Sequence, residues 1–245
     1  MRCVRPTAPV RKAADAGSVQ EDEVLFGEDF DVLEIQGDWA WGQARRDGYV
    51  GFAPADALGP TGEAPTLKVT ALRTCGFTRP DLKSPVVALI SVGALVTPRG
   101  SENGYVDTGE GGWVFAPHLQ PIGAFETDAA SVAERFLGAP YLWGGRSSLG
   151  LDCSGLTQQA LLAVGRACPR DTDQQLAAFP HAVERKDLAR GDLVFWKGHV
   201  GMMLDGERLI HANAHHMAVA IEPLDPAIVR IRDKIGSDPQ GFRRP

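Results

Sequence analysis

The sequence predicts an α+β protein whose first half is entirely β, and three observations lead to this fold class. Short runs of β-forming residues, broken by Gly, Pro and Asp, fill roughly the first 120 residues. A similar pattern of runs then returns within the same half, which indicates a weak internal repeat. After Pro121 helical periodicity appears first and strand-like segments follow it in a block, which is typical of an α+β domain.

Composition excludes several classes of function. The 245 residues carry a formal net charge of −6, and no cluster of Lys and Arg suggests a nucleic-acid partner. No apolar run approaches the ~20 residues that a membrane-spanning helix needs. The first residues, MRCVRPTAPVRKAADAG, are basic but lack the apolar core of a secretory signal. We therefore expect a cytoplasmic protein, or a periplasmic or secreted one if a leader was removed.

The first repeat is visible in two alternating runs, Phe30–Ile35 and Trp39–Gln43, followed by a turn at Asp47-Gly48. In the second repeat a turn at Asn103-Gly104 precedes the segment GWVFAP, which resembles the earlier GFAP. Strands this short, with glycine-rich turns, favour small barrels.

This repeat predicts three domains. Two all-β barrels would cover residues 1–60 and 66–122, joined by the Gly- and Pro-rich segment GPTGEAPT, and an α+β domain would cover 126–245. One irregular β domain in place of the two barrels is the alternative.

Helices and strands of the last domain follow from caps and apolar stripes. A first helix is predicted from an N-cap at Thr127 or Asp128 to Gly138, and a second from Cys153 to Gly165. The remaining predicted elements are a short helix in DTDQQLAAF, strands in GDLVFW, HVGMML and RLIHAN, and a last helix in DPAIVRIRDKIG.

Cys153 stands where a glycine-rich loop turns into a helix, a setting that an inert buried thiol does not need. The helix N-terminus favours the thiolate, and its N–H groups can face a developing oxyanion. Gly144, Gly145 and Gly155 leave room for a substrate backbone. We therefore predict that Cys153 is a nucleophile, whereas Cys3, Cys75 and Cys168 are ordinary small residues. No CxxC pair indicates a zinc site, and we expect no metal or cofactor.

A thiol nucleophile needs a base, and two histidines follow in adjacent predicted strands. A three-residue hairpin loop with Gly206 in the left-handed conformation would pair Met203 with Glu207. That register brings His199 directly opposite His211 on one face. One imidazole would accept the thiol proton and the other would orient it.

Other residues near these motifs allow two interpretations. Asp152 is a helix N-cap or a contact to a substrate cation, and the sequence favours the cap. Tyr141 and Trp143 are core aromatics or line a cleft above Cys153. His215 and His216 could join His211 in a metal site, but adjacent residues of a strand point in opposite directions, so such a site is not expected.

Six segments in order, YLWGG, DCSGL, PRDTDQQ, GDLVFW, GHVGMM and LIHAN, resemble the NlpC-type cell-wall cysteine peptidases, a papain-like family. The resemblance implies a papain-like core with Cys153 as nucleophile, His199 as general base and then acid, and His211 as the orienting third residue. The N-terminal repeat resembles bacterial SH3-like domains.

SH3-like modules followed by this core resemble the γ-D-glutamyl-L-diamino-acid endopeptidases of the dipeptidyl-peptidase VI type. The resemblance implies hydrolysis of the bond between D-Glu and the diamino acid in peptidoglycan stem peptides, with a free N-terminal L-Ala, as in muropeptide recycling. Asp152 and Ser154 would hold the L-Ala amine, and Tyr141 would assist at the oxyanion.

The same resemblance suggests that Trp143, Asp171 and Thr172 line the substrate cleft, and that Glu23 or Tyr49 caps the amine pocket. A cell-wall peptide-binding module with an idle site, or another thiol amidase or acyltransferase on this core, are the alternatives.

Overall fold

The computed structural model describes residues 1–245, which form two compact units. The first unit comprises Met1–Ala124 with Trp143–Leu149, and the second comprises Phe125–Leu142 with Gly150–Pro245. All four helices belong to the second unit, and most strands belong to the first. The predicted α+β class is therefore confirmed.

The first unit contains sixteen short strands and three 3-10 turns. The 3-10 turns are Ala55–Ala57, Gly109–Gly111 and Ala116–His118. The strands are β1 (Arg2–Cys3), β2 (Thr7–Arg11), β3 (Gln20–Leu25), β4 (Phe30–Gln36), β5 (Trp39–Ala44), β6 (Val50–Pro54), β7 (Leu58–Gly59), β8 (Leu67–Val69), β9 (Arg73–Phe77), β10 (Val86–Ser91), β11 (Leu95–Val96), β12 (Gly100–Glu102), β13 (Tyr105–Asp107), β14 (Trp113–Phe115), β15 (Leu119–Pro121) and β16 (Arg146–Ser147).

The internal repeat that the sequence indicates is present as repeated topology. One five-stranded sheet has the order β3-β2-β6-β5-β4, and the other has the order β10-β9-β14-β13-β12. In each sheet the strand that comes first in the sequence, β2 or β9, lies between the second one, β3 or β10, and the last one, β6 or β14. In each repeat the last of these strands leads through a 3-10 turn into another short strand, β6 into β7 and β14 into β15. The sequence similarity between GFAP and VFAP therefore marks equivalent positions in the two sheets.

The predicted turn at Asn103-Gly104 is confirmed, since both residues have positive φ and Glu102 pairs with Tyr105 across it. A two-residue connection of this kind matches the twist of the strands that it joins. The β region has two hydrophobic clusters, one built mainly around Phe30 and one around Ile90. The boundaries 1–60 and 66–122 stay a prediction, and Phe26, which lies inside the first range, packs in the second cluster.

The second unit contains four helices and six strands, with a 3-10 turn at Arg185–Asp187. None of the four helices is both long and apolar enough to cross a lipid bilayer. The elements are α1 (Ala129–Glu134), β17 (Gly150–Leu151), α2 (Cys153–Ala163), α3 (Thr172–Ala178), β18 (Leu193–Trp196), β19 (His199–Met203), β20 (Arg208–Asn213), β21 (Ala218–Pro223), α4 (Leu224–Ile235) and β22 (Gly241–Arg243).

An antiparallel sheet of order β21-β20-β19-β18-β22 is the centre of the second unit. Helix α2 packs against β19 and β20, and α4 packs against β21. Side chains of the sheet and of α4 form one hydrophobic cluster that includes the fully buried Trp196. Some of the apolar positions of the predicted strands therefore share this cluster with the last predicted helix.

Helix α1 is shorter than predicted. Asp128 caps it as expected, since its carboxylate accepts a hydrogen bond from the Ala130 amide. After Glu134 the backbone bonds span only three residues, as in the bond from the Phe136 amide to the Ala133 carbonyl. The segment up to Gly138 is therefore a tighter turn and not a continuation of the α-helix.

The hairpin between β19 and β20 corrects the predicted register. Met203 pairs with Leu209 and not with Glu207, and Gly206 does not have a positive φ. The Asp205 carboxylate accepts hydrogen bonds from the amides of Glu207 and Arg208. The three-residue loop therefore comprises residues 205–207, one position later in the chain than the predicted loop. The shift is two residues in total, so His199 and His211 keep the same face but lie diagonally rather than directly opposite.

Candidate active site

Cys153 is the first residue of α2, and its position depends on the residue before it. Asp152 has extended backbone angles and accepts a hydrogen bond from the Gly155 amide at 2.7 Å, which is the predicted N-cap. Leu151 and Cys153 are both buried on either side of the cap. The helix therefore begins at the residue that carries the thiol, and Asp152 satisfies one of the free N–H groups of the first turn.

The thiol lies against β19 and α3. Its sulfur is hydrogen-bonded to the backbone amide of Val200, the residue after His199, and to the Thr172 hydroxyl. Burial, followed by the nearby Asp152 carboxylate, raises the pKa of Cys153 to about 11, although both hydrogen bonds and Arg170 act in the opposite direction. The expectation that the helix N-terminus makes the sulfur anionic is therefore not met in the resting site, because burial disfavours the charged form of the thiol.

The two predicted histidines are hydrogen-bonded to each other. His199 Nε2 lies 2.8 Å from His211 Nδ1, and the His211 side chain is completely buried. Burial, followed by the neighbouring His211 and Arg230, lowers the pKa of His199 to about 3, although Glu222 acts in the opposite direction. Burial likewise lowers the pKa of His211. Both rings are therefore neutral at pH 7, and His199 Nδ1 is the ring nitrogen that does not face His211.

A carboxylate continues this series of hydrogen-bonded side chains, and sequence analysis did not identify it. His211 Nε2 lies 2.6 Å from Glu222 Oε1 on β21, and the same carboxylate accepts a hydrogen bond from Arg230 on α4. The only sequence signal for Glu222 would have been a third strand after LIHAN, whose register decides which residue meets His211.

A buried ion pair lies next to Cys153. Arg170 donates to both carboxylate oxygens of Asp152, at 3.0 Å and 2.7 Å, and also to the Ser154 hydroxyl at 2.8 Å. The Ser154 hydroxyl in turn donates to Asp152 at 3.1 Å. Asp152 and Ser154 are thus brought together around an arginine that the sequence interpretation did not single out, and their predicted contact with the substrate amine stays a prediction.

Tyr141, Asp171 and Thr172 belong to the same unit as these residues. Tyr141 is partly buried, and burial raises its pKa, with the nearby Cys153 and Asp152 adding to the effect. Asp171 is the residue immediately before α3, and Thr172 is its first residue. Cys153 contributes to the raised pKa of Tyr141, and the Thr172 hydroxyl is hydrogen-bonded to the Cys153 sulfur.

The other predicted substrate residues belong to the first unit. Trp143 is 58% exposed, and Tyr49 is partly buried against the hydrophobic cluster around Phe30. Glu23 is buried, and its carboxylate accepts hydrogen bonds from the Arg146 and Ser147 amides at 2.8 Å and 3.1 Å. In the structure Glu23 therefore holds the backbone of the segment that contains Trp143.

His215 and His216 lie in the turn between β20 and β21, so the premise that they alternate along a strand is wrong. The Asn213 side-chain oxygen accepts hydrogen bonds from both of their amides and lies 3.0 Å from His216 Nδ1. All four cysteines are free thiols.

Comparison with protein-family models gives two matches. Residues 138–232 match the NlpC/P60 family, and residues 10–58 match the bacterial dipeptidyl-peptidase Sh3 domain. The first match contains the thiol, both histidines and Glu222, and the second lies in the β-rich unit.

Curated relatives and a solved structure extend the similarity over most of the chain. A γ-D-glutamyl-L-lysine dipeptidyl-peptidase of Bacillus subtilis is 29% identical over 248 residues, which cover 91% of this chain and 82% of the relative. A protein of the same name from Bacillus cereus is 27% identical over 237 residues, which cover 84% of this chain and 71% of the relative. The crystal structure of an NlpC/P60 family protein from Bacillus cereus has the same fold, with a TM-score of 0.82, 22% identity and coverage of 99% and 98% of the two chains.

The family match therefore falls on the part of the chain in which a buried thiol begins a helix beside a hydrogen-bonded pair of imidazoles. The chain contains a cysteine peptidase domain of the NlpC/P60 family, preceded by a bacterial SH3-like all-β region.

Proposed function

We propose that this peptidase hydrolyses the bond between γ-D-glutamate and the diamino acid of peptidoglycan stem peptides that carry a free N-terminal L-Ala. The observation that carries the chemistry is a buried thiol at the start of α2, a helix that packs against β19, the strand on which His199 is hydrogen-bonded to His211. The bond specificity is supported by the names of the relatives from Bacillus subtilis and Bacillus cereus.

In the proposed mechanism Cys153 is the nucleophile and His199 is the base. His199 Nδ1 takes the thiol proton as the sulfur attacks the γ-carbonyl carbon of D-Glu, and the carbonyl oxygen becomes an oxyanion. The Cys153 amide at the helix N-terminus and the Tyr141 hydroxyl are the proposed donors to this oxyanion. Because the resting thiol is neutral, proton transfer and attack belong to the same step.

The proton then leaves the imidazolium for the diamino-acid nitrogen, and the carbon–nitrogen bond breaks to release the diamino acid. A thioester between Cys153 and the D-Glu side chain remains. Water attacks this thioester while His199 removes one of its protons, and the thiol is restored when the carbon–sulfur bond breaks. His211 keeps the base in orientation throughout.

The substrate amine is the least direct part of the proposal. Asp152 and Ser154 are the proposed contacts, yet the Asp152 carboxylate already accepts hydrogen bonds from Arg170 and from the Gly155 amide. Trp143, Asp171 and Thr172 stay predictions as cleft residues, as do Glu23 and Tyr49 as the cap of the amine pocket.

The cytoplasmic location also stays a prediction, which cell fractionation with an antibody to the chain would test.

One experiment with two substrates tests the function. The purified chain is incubated with L-Ala-γ-D-Glu-diaminopimelate and with its N-acetylated form, and products are identified by mass spectrometry. We expect free diaminopimelate from the first peptide and a strongly reduced rate with the second, because acetylation removes the cation that Asp152 would bind. Cys153→Ala should lower turnover at least about a thousandfold, as loss of a nucleophile does in other proteases, whereas Cys75→Ala should retain it.

Each result has a distinct meaning. Undiminished turnover by Cys153→Ala would contradict the proposed nucleophile. Equal rates on both peptides would remove the amine contact and leave intact wall as a substrate. Products cut at another amide, or transferred to another acceptor, would identify a different thiol amidase or an acyltransferase.

A further inference from the structure

Glu222 lies at the end of the histidine pair that is remote from the thiol. It stands on β21 opposite Leu209 of β20, and its Oε1 is 2.6 Å from His211 Nε2. The His211 side chain has no solvent exposure and that of Glu222 has 14%. This short contact is therefore largely shielded from water. Hydrogen bonds to a charged group are strong in such a water-poor environment.

The chemistry of the three groups fixes where the protons are. An ionised carboxylate can only accept, so His211 Nε2 must carry a proton and donate it to Glu222. A neutral imidazole carries one proton, so His211 Nδ1 is an acceptor, and His199 Nε2 must donate to it across 2.8 Å. His199 Nδ1 is then the unprotonated nitrogen, which a general base needs.

Arg230 keeps Glu222 in the acceptor form. Burial raises the pKa of Glu222, but the hydrogen bond from His211 and the positive charge of Arg230 act against it, and the net shift is downward. Glu222 therefore stays ionised at neutral pH. Because Arg230 reaches the carboxylate from α4, the arginine also holds the side chain at the position where it meets His211.

We propose that Glu222 is a positioning residue that sets the proton arrangement of both imidazoles, so that His199 Nδ1 is free of a proton when the thiol must be deprotonated. The proposal rests on the proposed roles of Cys153, His199 and His211. During the reaction Glu222 takes up no proton, and its negative charge stabilises the imidazolium that forms.

A purely structural role is the alternative, in which the carboxylate only joins β21 to α4 through Arg230. The two roles differ in what they predict for the rings. If Glu222 is only part of a structural ion pair, its removal does not change which nitrogen of His211 is protonated. If Glu222 positions the rings, its removal does change the protonated nitrogen.

The test reads the tautomers directly in the full chain at pH 7.5, by long-range proton–nitrogen correlation of ¹⁵N-histidine. Signals are assigned with His199→Asn and His211→Asn. In the unaltered protein we expect both rings to be protonated at Nε2. If His211 instead carries its proton at Nδ1, the proposal is overturned, and this result requires no variant to fold.

Variants then separate positioning from structure. Glu222→Ala should give a mixture of tautomers at both rings and lower kcat at least about tenfold with little change in KM. Glu222→Gln, whose side-chain oxygen can still accept, should restore the tautomers and part of kcat. Glu184→Ala removes an exposed carboxylate paired with Lys186, and it should change neither the tautomers nor kcat.

The outcomes distinguish this proposal from the proposed function. Turnover that survives Cys153→Ala would remove the peptidase mechanism, while the tautomer measurement could still be correct. If Cys153→Ala is inactive but Glu222→Ala keeps wild-type tautomers and kcat, only the role of Glu222 is lost.

Discussion

At the residue scale, Arg170 shows how a buried charge can support a nucleophile without touching it. Its side chain is almost fully buried and makes a two-pronged contact with Asp152, the residue that caps the nucleophile helix. A buried ion pair adds little net stability by itself, but removing one partner leaves an uncompensated charge. The arginine therefore holds the cap, and through the cap the first turn of α2.

Arg170→Met should accordingly lower the free energy of unfolding of the second unit by about 3–5 kcal/mol. It should also slow alkylation of Cys153 by iodoacetamide, because the Arg170 charge lowers the pKa of that thiol against the larger effect of burial. Urea unfolding and the alkylation rate at pH 8 measure the two effects. Arg170→Lys keeps the charge but not the two-pronged contact. Its free energy of unfolding and its alkylation rate should lie between those of Arg170→Met and of the unaltered chain.

Arg185 offers a matched control, because its ion pair with Asp225 is exposed. Exposed pairs contribute about 0–1 kcal/mol, so Arg185→Met should cost far less than Arg170→Met. Equal losses for the two arginine variants would show that the Asp152 pair has no special role.

The sequence predicts the residues that carry a motif, and it misses those that only the fold brings together. Cys153 and the two histidines stand in recognisable local settings, so they could be singled out before the structure. Arg170, Glu222 and Arg230 are ordinary charged residues in the sequence, and each meets its partner only after helices and strands have packed. The charge state of the sulfur was predicted wrongly because burial is a property of the fold and not of the helix terminus.

At the scale of elements, the β19–β20 hairpin sets the histidine geometry. The strands themselves were predictable from their apolar patterns, but the register was not, because it depends on the Asp205 side chain in the turn. Gly201 lies on β19 where a side chain has no room. A Cβ there would come within 2.6 Å of Leu209 Cδ1 and 3.3 Å of His211 Cβ.

Gly201→Ala should therefore destabilise the hairpin by about 1–3 kcal/mol, as overpacking does in other cores, and displace His211 from His199. Gly206→Ala is the matched control in the same hairpin, because its φ is not positive and its nearest neighbour is 3.4 Å away. We expect an effect within about 0.5 kcal/mol there. Urea unfolding gives the energies, and kcat reports the histidine geometry. Similar losses for both variants would argue against a tight contact at Gly201.

At the scale of the whole molecule, each compact unit has hydrophobic clusters of its own, and the buried pair of histidines lies in the second unit. Repeated sheet order in the first unit could be anticipated from repeated sequence, since turns and strand lengths are local features. The burial of the two histidines could not be anticipated in this way, because it depends on which side chains the sheet and the helices enclose.

This burial makes stability depend on pH in a defined window. The pKa of His199 is lowered by burial to about 3 and that of His211 is also lowered, whereas unfolding returns both toward 6.5. Below pH 6.5 the unfolded chain therefore binds more protons than the folded one, and the free energy of unfolding falls as the pH decreases toward 3. The contribution is complete above pH 6.5, the loss from His199 approaches about 1.4 kcal/mol per pH unit below it, and His211 adds to the loss in the same direction.

Carboxylates with lowered pKa, such as Glu28 and Glu222, add to this loss only below about 4.5, so the range from pH 6.5 to 5 isolates the histidines. Urea unfolding across that range should show a slope that becomes much shallower in the double variant His199→Asn with His211→Asn. The exposed His181 gives the control, since His181→Asn should leave the slope unchanged. A stability that stays constant from pH 6.5 to 5 in the unaltered chain would mean that the imidazoles are not held neutral, and the neutral resting pair proposed for catalysis would have to be abandoned.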